Sequence, residues 1–190
     1  MLAYVIIKRF TLFALVLLVS TSSLAESFKV QSAEVSKIGN GYILNAEIKY
    51  PLTPRVTEAI ANGVPITFLQ QLELIHSTSI FGKYWQWKKT LWSASLRYEL
   101  RYHALSEQYI LKDLDTEHLS NFPSLDSALT ALGTIDDLSL PPEHLTDTDS
   151  LILQVRSGLD LYALPTPMRP GALLSNKWQV TSPWEIAIWP

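Results

Sequence analysis

From Ser95 to His103 the chain alternates without a break. Leu96, Tyr98, Leu100 and Tyr102 are apolar or aromatic, and Arg97, Glu99, Arg101 and His103 between them are ionisable. Successive side chains of an extended strand point to opposite faces, so a period of two marks a strand with one face on a core and the other in water. Four ionisable groups in a row on one side cannot all be buried unpaired. This run therefore commits the middle of the chain to a half-buried sheet.

The surrounding sequence supplies neighbours for that strand. Ile66 to His76 reads as one strand and Tyr84 to Ala104 as a second, long enough to bend; after a turn near Ser106, Tyr109 to Leu114 returns as another. Upstream, Phe28 and Val30, then Tyr42, Leu44, Ala46, Ile48 and Tyr50, alternate with polar residues, and Gly39-Asn40-Gly41 between them is a hairpin signal. Leu151 to Ser157 reads as a strand, and so does the alternating terminal segment from Trp184 to Trp189.

Two short helices interrupt this pattern. Thr53 stands as the cap and Pro54 as the first helical residue of one helix, with Val56, Ala59 and Ile60 on one face and Asn62-Gly63 as its stop. The other opens at Ser124 and closes at Gly133, with Leu125, Ala128, Leu129 and Leu132 forming an apolar stripe. Such short helices do not stand alone in water and must dock on the sheet. Thr134 to Ser150, with Asp136-Asp137, Pro141-Pro142 and Asp147-Thr148-Asp149, reads as an acidic loop containing one helical turn at Pro142 to Leu145. Pro165, Pro167, Pro170 and Gly171 argue against regular structure before Trp178. The expected fold is mainly β, a two-layer sandwich or curved antiparallel sheet with two short helices at its edge.

The first 25 residues carry an address. Lys8 and Arg9 precede the apolar run Phe10 to Val19, and Ser23-Leu24-Ala25 offers the small residues that a signal peptidase inspects. Residues 1–25 are read as a cleaved signal peptide and residues 26–190 as a single β-rich periplasmic domain. No stable membrane insertion is expected after cleavage. Without Lys8 and Arg9, 13 basic residues face 18 acidic ones, a net charge of −5. That balance gives no footprint for nucleic acid. The chain has no cysteine, so an exported domain of this sequence holds by its core without disulfides. With 47% hydrophobic and 11% aromatic residues the composition is that of a folded domain.

Three stretches carry a family resemblance: YPLTPRVTEAIANGV at residues 50–64, LRYELRYHALSEQYIL at 96–111 and LDLYALPTPM at 159–168, with Trp178 and Trp184-Glu185 near the end. Together they resemble the DUF4390 family of secreted proteobacterial proteins over nearly the whole chain after the leader. These motifs are turn and packing residues, and the resemblance implies no catalytic residue. Genes of that family often stand beside a membrane sensor histidine kinase, which implies a role in envelope sensing and an envelope protein as partner.

Chemical motifs are sparse. No G-x-S-x-G elbow, phosphate loop or dinucleotide fingerprint occurs, and His76, His103, His118 and His144 are scattered. Asp147-Thr148-Asp149 resembles the start of a calcium loop, but Ile152 and Gly158 stand where its glycine and glutamate belong. No cofactor and no metal are expected. Two features remain as a candidate partner surface. One is the aromatic cluster Phe81, Tyr84, Trp85, Trp87 and Trp92 at a hairpin tip, where Trp and Tyr are effective contact anchors unless they fold back to seal the core. On a regular strand Trp85 and Trp87 share a face and Tyr84 and Trp92 take the other. The second is the charged face with Arg97 and Arg101, for which Glu47 or Glu73 are expected cross-strand partners. The expected function is a non-catalytic periplasmic interaction or sensing module. The alternatives are a carrier holding a hydrophobic ligand against Leu96, Tyr98, Leu100 and Tyr102, and a hydrolase with a dispersed site.

Overall fold

A computed structural model of the chain describes residues 27–79, 86–145, 150–175, 177–178 and 180–190. Residues 1–25, read from sequence as a signal peptide, the aromatic residues Phe81, Tyr84 and Trp85, and Asp147-Thr148-Asp149 lie outside the described residues.

Strands β1 (Lys29–Ile38) and β2 (Gly41–Lys49) form the expected hairpin, with Ile38 paired to Gly41 across Gly39-Asn40. Gly39 has φ 59°, which a primed hairpin turn requires and glycine adopts without strain. A bulge between Val30 and Ser32 inserts one residue, so the buried positions run Val30, then Ala33 and Val35. Helix α1 (Pro54–Ala61) follows, capped by the Thr53 hydroxyl, which accepts from the Val56 amide at 3.4 Å. It closes with Gly63 at φ 77°.

Strands β3 (Ile66–Ser79), β4 (Gln86–His103) and β5 (Gln108–Asp113) form an antiparallel meander extended by the short β6 (Leu119–Phe122). Helix α2 (Leu125–Gly133) opens on a capping box in which Ser124 and Ser127 satisfy each other's backbone amides. It runs directly into β7 (Thr134–Ser139), and after a 3-10 turn at Pro142–His144 come β8 (Leu151–Leu159), helix α3 (Arg169–Leu173) and β9 (Glu185–Ile186).

The strands make two antiparallel sheets: three-stranded in the order β1-β2-β7 and six-stranded in the order β6-β5-β4-β3-β8-β9. Phe28, at the entry to β1, stacks on Phe68 of β3 at 5.9 Å and meets Tyr50 edge-on at 4.8 Å. Burial of Val30, Val35, Leu44, Ile48, Leu72, Leu74, Leu153 and Val155 makes one continuous core between the sheets.

The mainly β architecture stands as expected, with three corrections. The stretch read as an acidic loop with one helical turn begins instead with β7: Ile135 pairs with Ala46 and Leu138 with Leu44, while Asp136 and Asp137 bulge outward between them. Asp137 adopts φ 52° and its amide donates to the Asn45 side-chain oxygen at 2.8 Å. The proline-rich stretch holds a short third helix, α3, with Pro170 in its first turn, where the missing N–H costs nothing. Strand β6 was not expected at all; its four residues are too few to show a period.

Candidate interaction surface

Among the described residues β3 and β4 are the longest strands, 14 residues paired with 18, against a usual strand of about 5–6. Their neighbours are shorter. Strand β8 pairs with β3 only as far as Leu151 opposite His76, and β5 pairs with β4 only from Tyr98 onward. Ser77–Ser79 and Gln86–Lys88 therefore form a two-stranded arm beyond the rest of the sheet. Among the described residues, no strand pairs with the outer edge of β4 from Gln86 to Leu96.

Trp87 sits on this arm opposite Thr78, and 64% of its surface is exposed. A bulge changes its side. Leu74 pairs with Trp92 but Ile75 with Thr90, so Leu91 is an extra residue in β4. Residues 66, 68, 70, 72 and 74 of β3 face the core, and Leu151, itself a core residue, lies opposite His76. Continuing that alternation puts Thr78 and its partner Trp87 on the core-side face beyond the end of the core. Trp87 thus shares a face with half-buried Trp92, contrary to the regular-strand expectation, because the bulge shifts the phase by one. Lys89, opposite His76, is on the same side, while Lys88 and Thr90 are on the other; Trp87 through Thr90 are all exposed.

The alternation from Ser95 to His103 holds. Leu100 is fully buried and Leu96, Tyr98 and Tyr102 are half-buried, while Arg97, Arg101 and His103 are exposed. Arg97 is paired, though not with the expected glutamates. Its Nη2 meets Asp115 Oδ1 at 3.1 Å and its amide donates to Asp115 Oδ2 at 3.4 Å. Glu47 belongs to the other sheet, and Glu73 accepts from the Gln154 side chain at 2.9 Å. Asp113 shapes the turn that presents Asp115. Burial raises its pKa, but the amides of Thr116 and Asp115, the Thr116 hydroxyl and His118 together hold it below the usual value. Arg101 lies opposite Ile110 and makes no ion pair among the described residues. Trp87 and Arg97 are ten residues apart on one strand, about 33 Å at the ordinary rise. Trp87 on the arm and Arg97 in the middle of β4 are therefore two separate places on the strand.

The histidines do not converge on a reaction centre among the described residues. His76 Nδ1 lies 3.1 Å from Thr78 Oγ1, and His103 Nδ1 lies 2.9 Å from Ser106 Oγ, each an exposed histidine–hydroxyl pair with no carboxylate bonded to it. No group of three or more His, Asp or Glu among the described residues is placed to hold a metal. Of the apolar stripe of β4, Leu100 lies in the core and Leu96 and Tyr98 pack against it, while the Tyr102 ring meets that of Tyr109 at 5.0 Å. One open cleft of about 480 Å³ lies between the end of β2 and α2, and another of about 530 Å³ lies between α1 and α3. No helix of the described residues is long and apolar enough to cross a membrane.

One buried polar chain escaped the sequence reading. Gln70 Nε2 donates to Tyr50 Oη at 2.9 Å and to the Leu132 carbonyl at 2.7 Å. Tyr50 Oη lies 3.1 Å from Ser157 Oγ, which donates to the Leu69 carbonyl at 3.1 Å. Burial pushes the Tyr50 hydroxyl up to about 12, against smaller lowering effects from Ser157 and Gln70. The chain of donors ends on a backbone carbonyl, so it ties β3, β8 and α2 together and delivers no proton to a surface. The signal was present in the sequence: Gln70 falls at a core-facing position of the Ile66–Leu74 run.

A family model described as a domain of unknown function, DUF4390, matches residues 25–187 of the chain. No curated protein and no solved structure matches the chain.

Proposed function

The chain belongs to the DUF4390 family, and from that premise we propose that it is a non-catalytic interaction and sensing module of the bacterial envelope, acting with an envelope protein such as a membrane sensor kinase. The observation that carries this reading is the β3–β4 arm. It projects beyond its neighbours and holds an indole in water at Trp87, beside Lys88 and Lys89. An exposed Trp offers large contact area at little cost in side-chain entropy, the property of a binding hot spot. The envelope setting is supported by Lys8-Arg9, the apolar run to Val19 and the Ser23-Leu24-Ala25 site. The kinase follows from the family resemblance.

Crosslinked pull-down of the ectodomain of the neighbouring kinase by the exported protein tests this reading. Capture that is lost in Trp87→Ala, with the melting temperature retained, supports it. Capture that is indifferent to Trp87 removes the arm from the interface, and no capture removes the kinase. N-terminal sequencing of exported material tests the address, with Glu26 expected as the first residue.

A further inference from the structure

Among the described residues, the outer edge of β4 from Gln86 to Leu96 has no strand paired to it. Its direction is fixed by its neighbour: the Arg97 carbonyl accepts from the Leu114 amide at 2.8 Å and the Arg97 amide points to Asp115, so both groups face away from β3. Backbone groups two residues apart on a strand point the same way. The N–H and C=O of Ser95 and Ser93 therefore also point outward, where no strand of the described residues receives them. An unpaired edge of this kind is a template for another strand.

The surroundings of this edge select an occupant. From Gln86 to Tyr98 the strand carries Lys88, Lys89 and Arg97 and no carboxylate, on a chain whose formal net charge is −3. Arg97 is already neutralised by Asp115, which leaves Lys88 and Lys89 as exposed cations beside the open edge. A lysine pair and a bulge are also the devices that keep sheet edges from joining like edges. A second copy of this chain would bring two more lysines and no carboxylate to match them. On the core-side face, half-buried Trp92, Ala94 and Leu96 leave apolar surface for the alternate residues of an added strand.

We infer that the edge of β4 at Ser93 and Ser95 receives an extended acidic segment of a partner protein by strand addition. Apolar side chains of that segment lie beside Trp92 and Leu96 on the core-side face, and carboxylates lie beside Lys88 on the opposite face and beside Lys89 where the apolar stripe ends. This rests on the interaction-module reading and names its mode.

The test uses the exported protein and two labelled peptides, one alternating Val and Glu and the other Val and Lys, followed by fluorescence anisotropy and amide exchange. The expected result is saturable binding of the acidic peptide alone, with new exchange protection at the Ser93 and Ser95 amides. Ser95→Pro removes one outward donor without touching the ladder to β3, and it should weaken binding about tenfold or more at unchanged melting temperature. The double variant Lys88→Glu with Lys89→Glu, which leaves the backbone intact, should do the same by charge alone. Equal binding of the lysine peptide, or binding indifferent to both variants, overturns the inference. So does a dimer that Ser95→Pro dissolves, because the edge then belongs to a second copy. Peptide failure alongside Trp87-dependent capture of the kinase ectodomain sinks the edge and leaves the module, whereas failure of both sinks the module.

Discussion

At Gly133 helix α2 touches β2 so closely that a Cβ would overlap the Ile48 carbonyl, with the Tyr50 ring 3.6 Å away. Neither backbone can yield without parting helix from sheet. Gly133→Ala should therefore cost about 3 kcal/mol or more in urea unfolding, at the upper end of overpacking. Gly158→Ala meets the Thr181 methyl, the end of a side chain that can rotate away, and should cost distinctly less; equal losses would show that the α2–β2 contact relaxes. Tyr50 makes a second prediction, in pH. Its folded value near 12 stands above the ordinary 10.0, so the unfolded chain ionises first. Stability is then flat below pH 10 and falls between 10 and 12, by about 2–3 kcal/mol over two units. Tyr50→Phe should lose about 1–2 kcal/mol at neutral pH, by stripping partners from Gln70 and Ser157, and should remove most of the alkaline fall. A smaller part remains with Tyr98, raised by burial and by Asp113 and Asp115. An undiminished fall in Tyr50→Phe would place the cause elsewhere. Gly63, by contrast, was legible from sequence, because a glycine after Asn62 at a helix end has one usual role. The close approach at Gly133 was not, since it depends on where Ile48 passes.

Elements with their own local chemistry were the readable ones. Thr53-Pro54 and Ser124 announce helix starts through the oxygen and the ring they bring, and both caps are present. Each helix is only eight or nine residues, so the sheet beneath supplies what its length does not. Strand β7 was unreadable because Asp136-Asp137 breaks its period, and only the pairing with β2 shows that the two aspartates leave the ladder at a bulge. The same blindness affected the candidate site. The bulge at Leu91 has no mark in the sequence, yet it decides that Trp87 lies on the face of Trp92. The element-scale prediction contrasts two residues of β4. Leu100→Ala removes a side chain with no exposed surface and should cost about 2–5 kcal/mol. Trp87→Ala, two-thirds in water, should cost less than about 1 kcal/mol, since it empties no cavity. Comparable losses in thermal melts would mean that the arm is folded against the core and is no contact surface.

The two sheets are joined by the end of the chain as well as by the core between them. The Val35 amide donates to the Ile188 carbonyl at 2.8 Å, and the Ile188 amide donates to Ala33 at 2.8 Å, on the three-stranded sheet. One residue earlier, the Ala187 amide donates to Leu153 at 2.8 Å on the six-stranded sheet. Side chains repeat this arrangement. Trp189 meets Tyr42 edge-on at 5.6 Å on one side, and Trp184 lies 4.4 Å from the Arg156 guanidinium on the other. Ala187 between them is buried. Alternation in this segment was readable as a strand, but its division between two sheets was not, because each sheet takes only one or two residues of it. Truncation after Pro183 should therefore act as more than the loss of a frayed tail. It exposes the β1 edge at Ala33 and Val35 and the β8 edge at Leu153 together, and removes the side chains that cover them. We expect a large drop in melting temperature, with amide protection lost at Val35 in the same step as the terminal residues are removed. The double substitution Trp184→Ala with Trp189→Ala keeps the backbone bridge and should retain the protection at Val35 while melting a few degrees lower. A truncated chain that melts like the full one would show that core packing alone holds the sheets together.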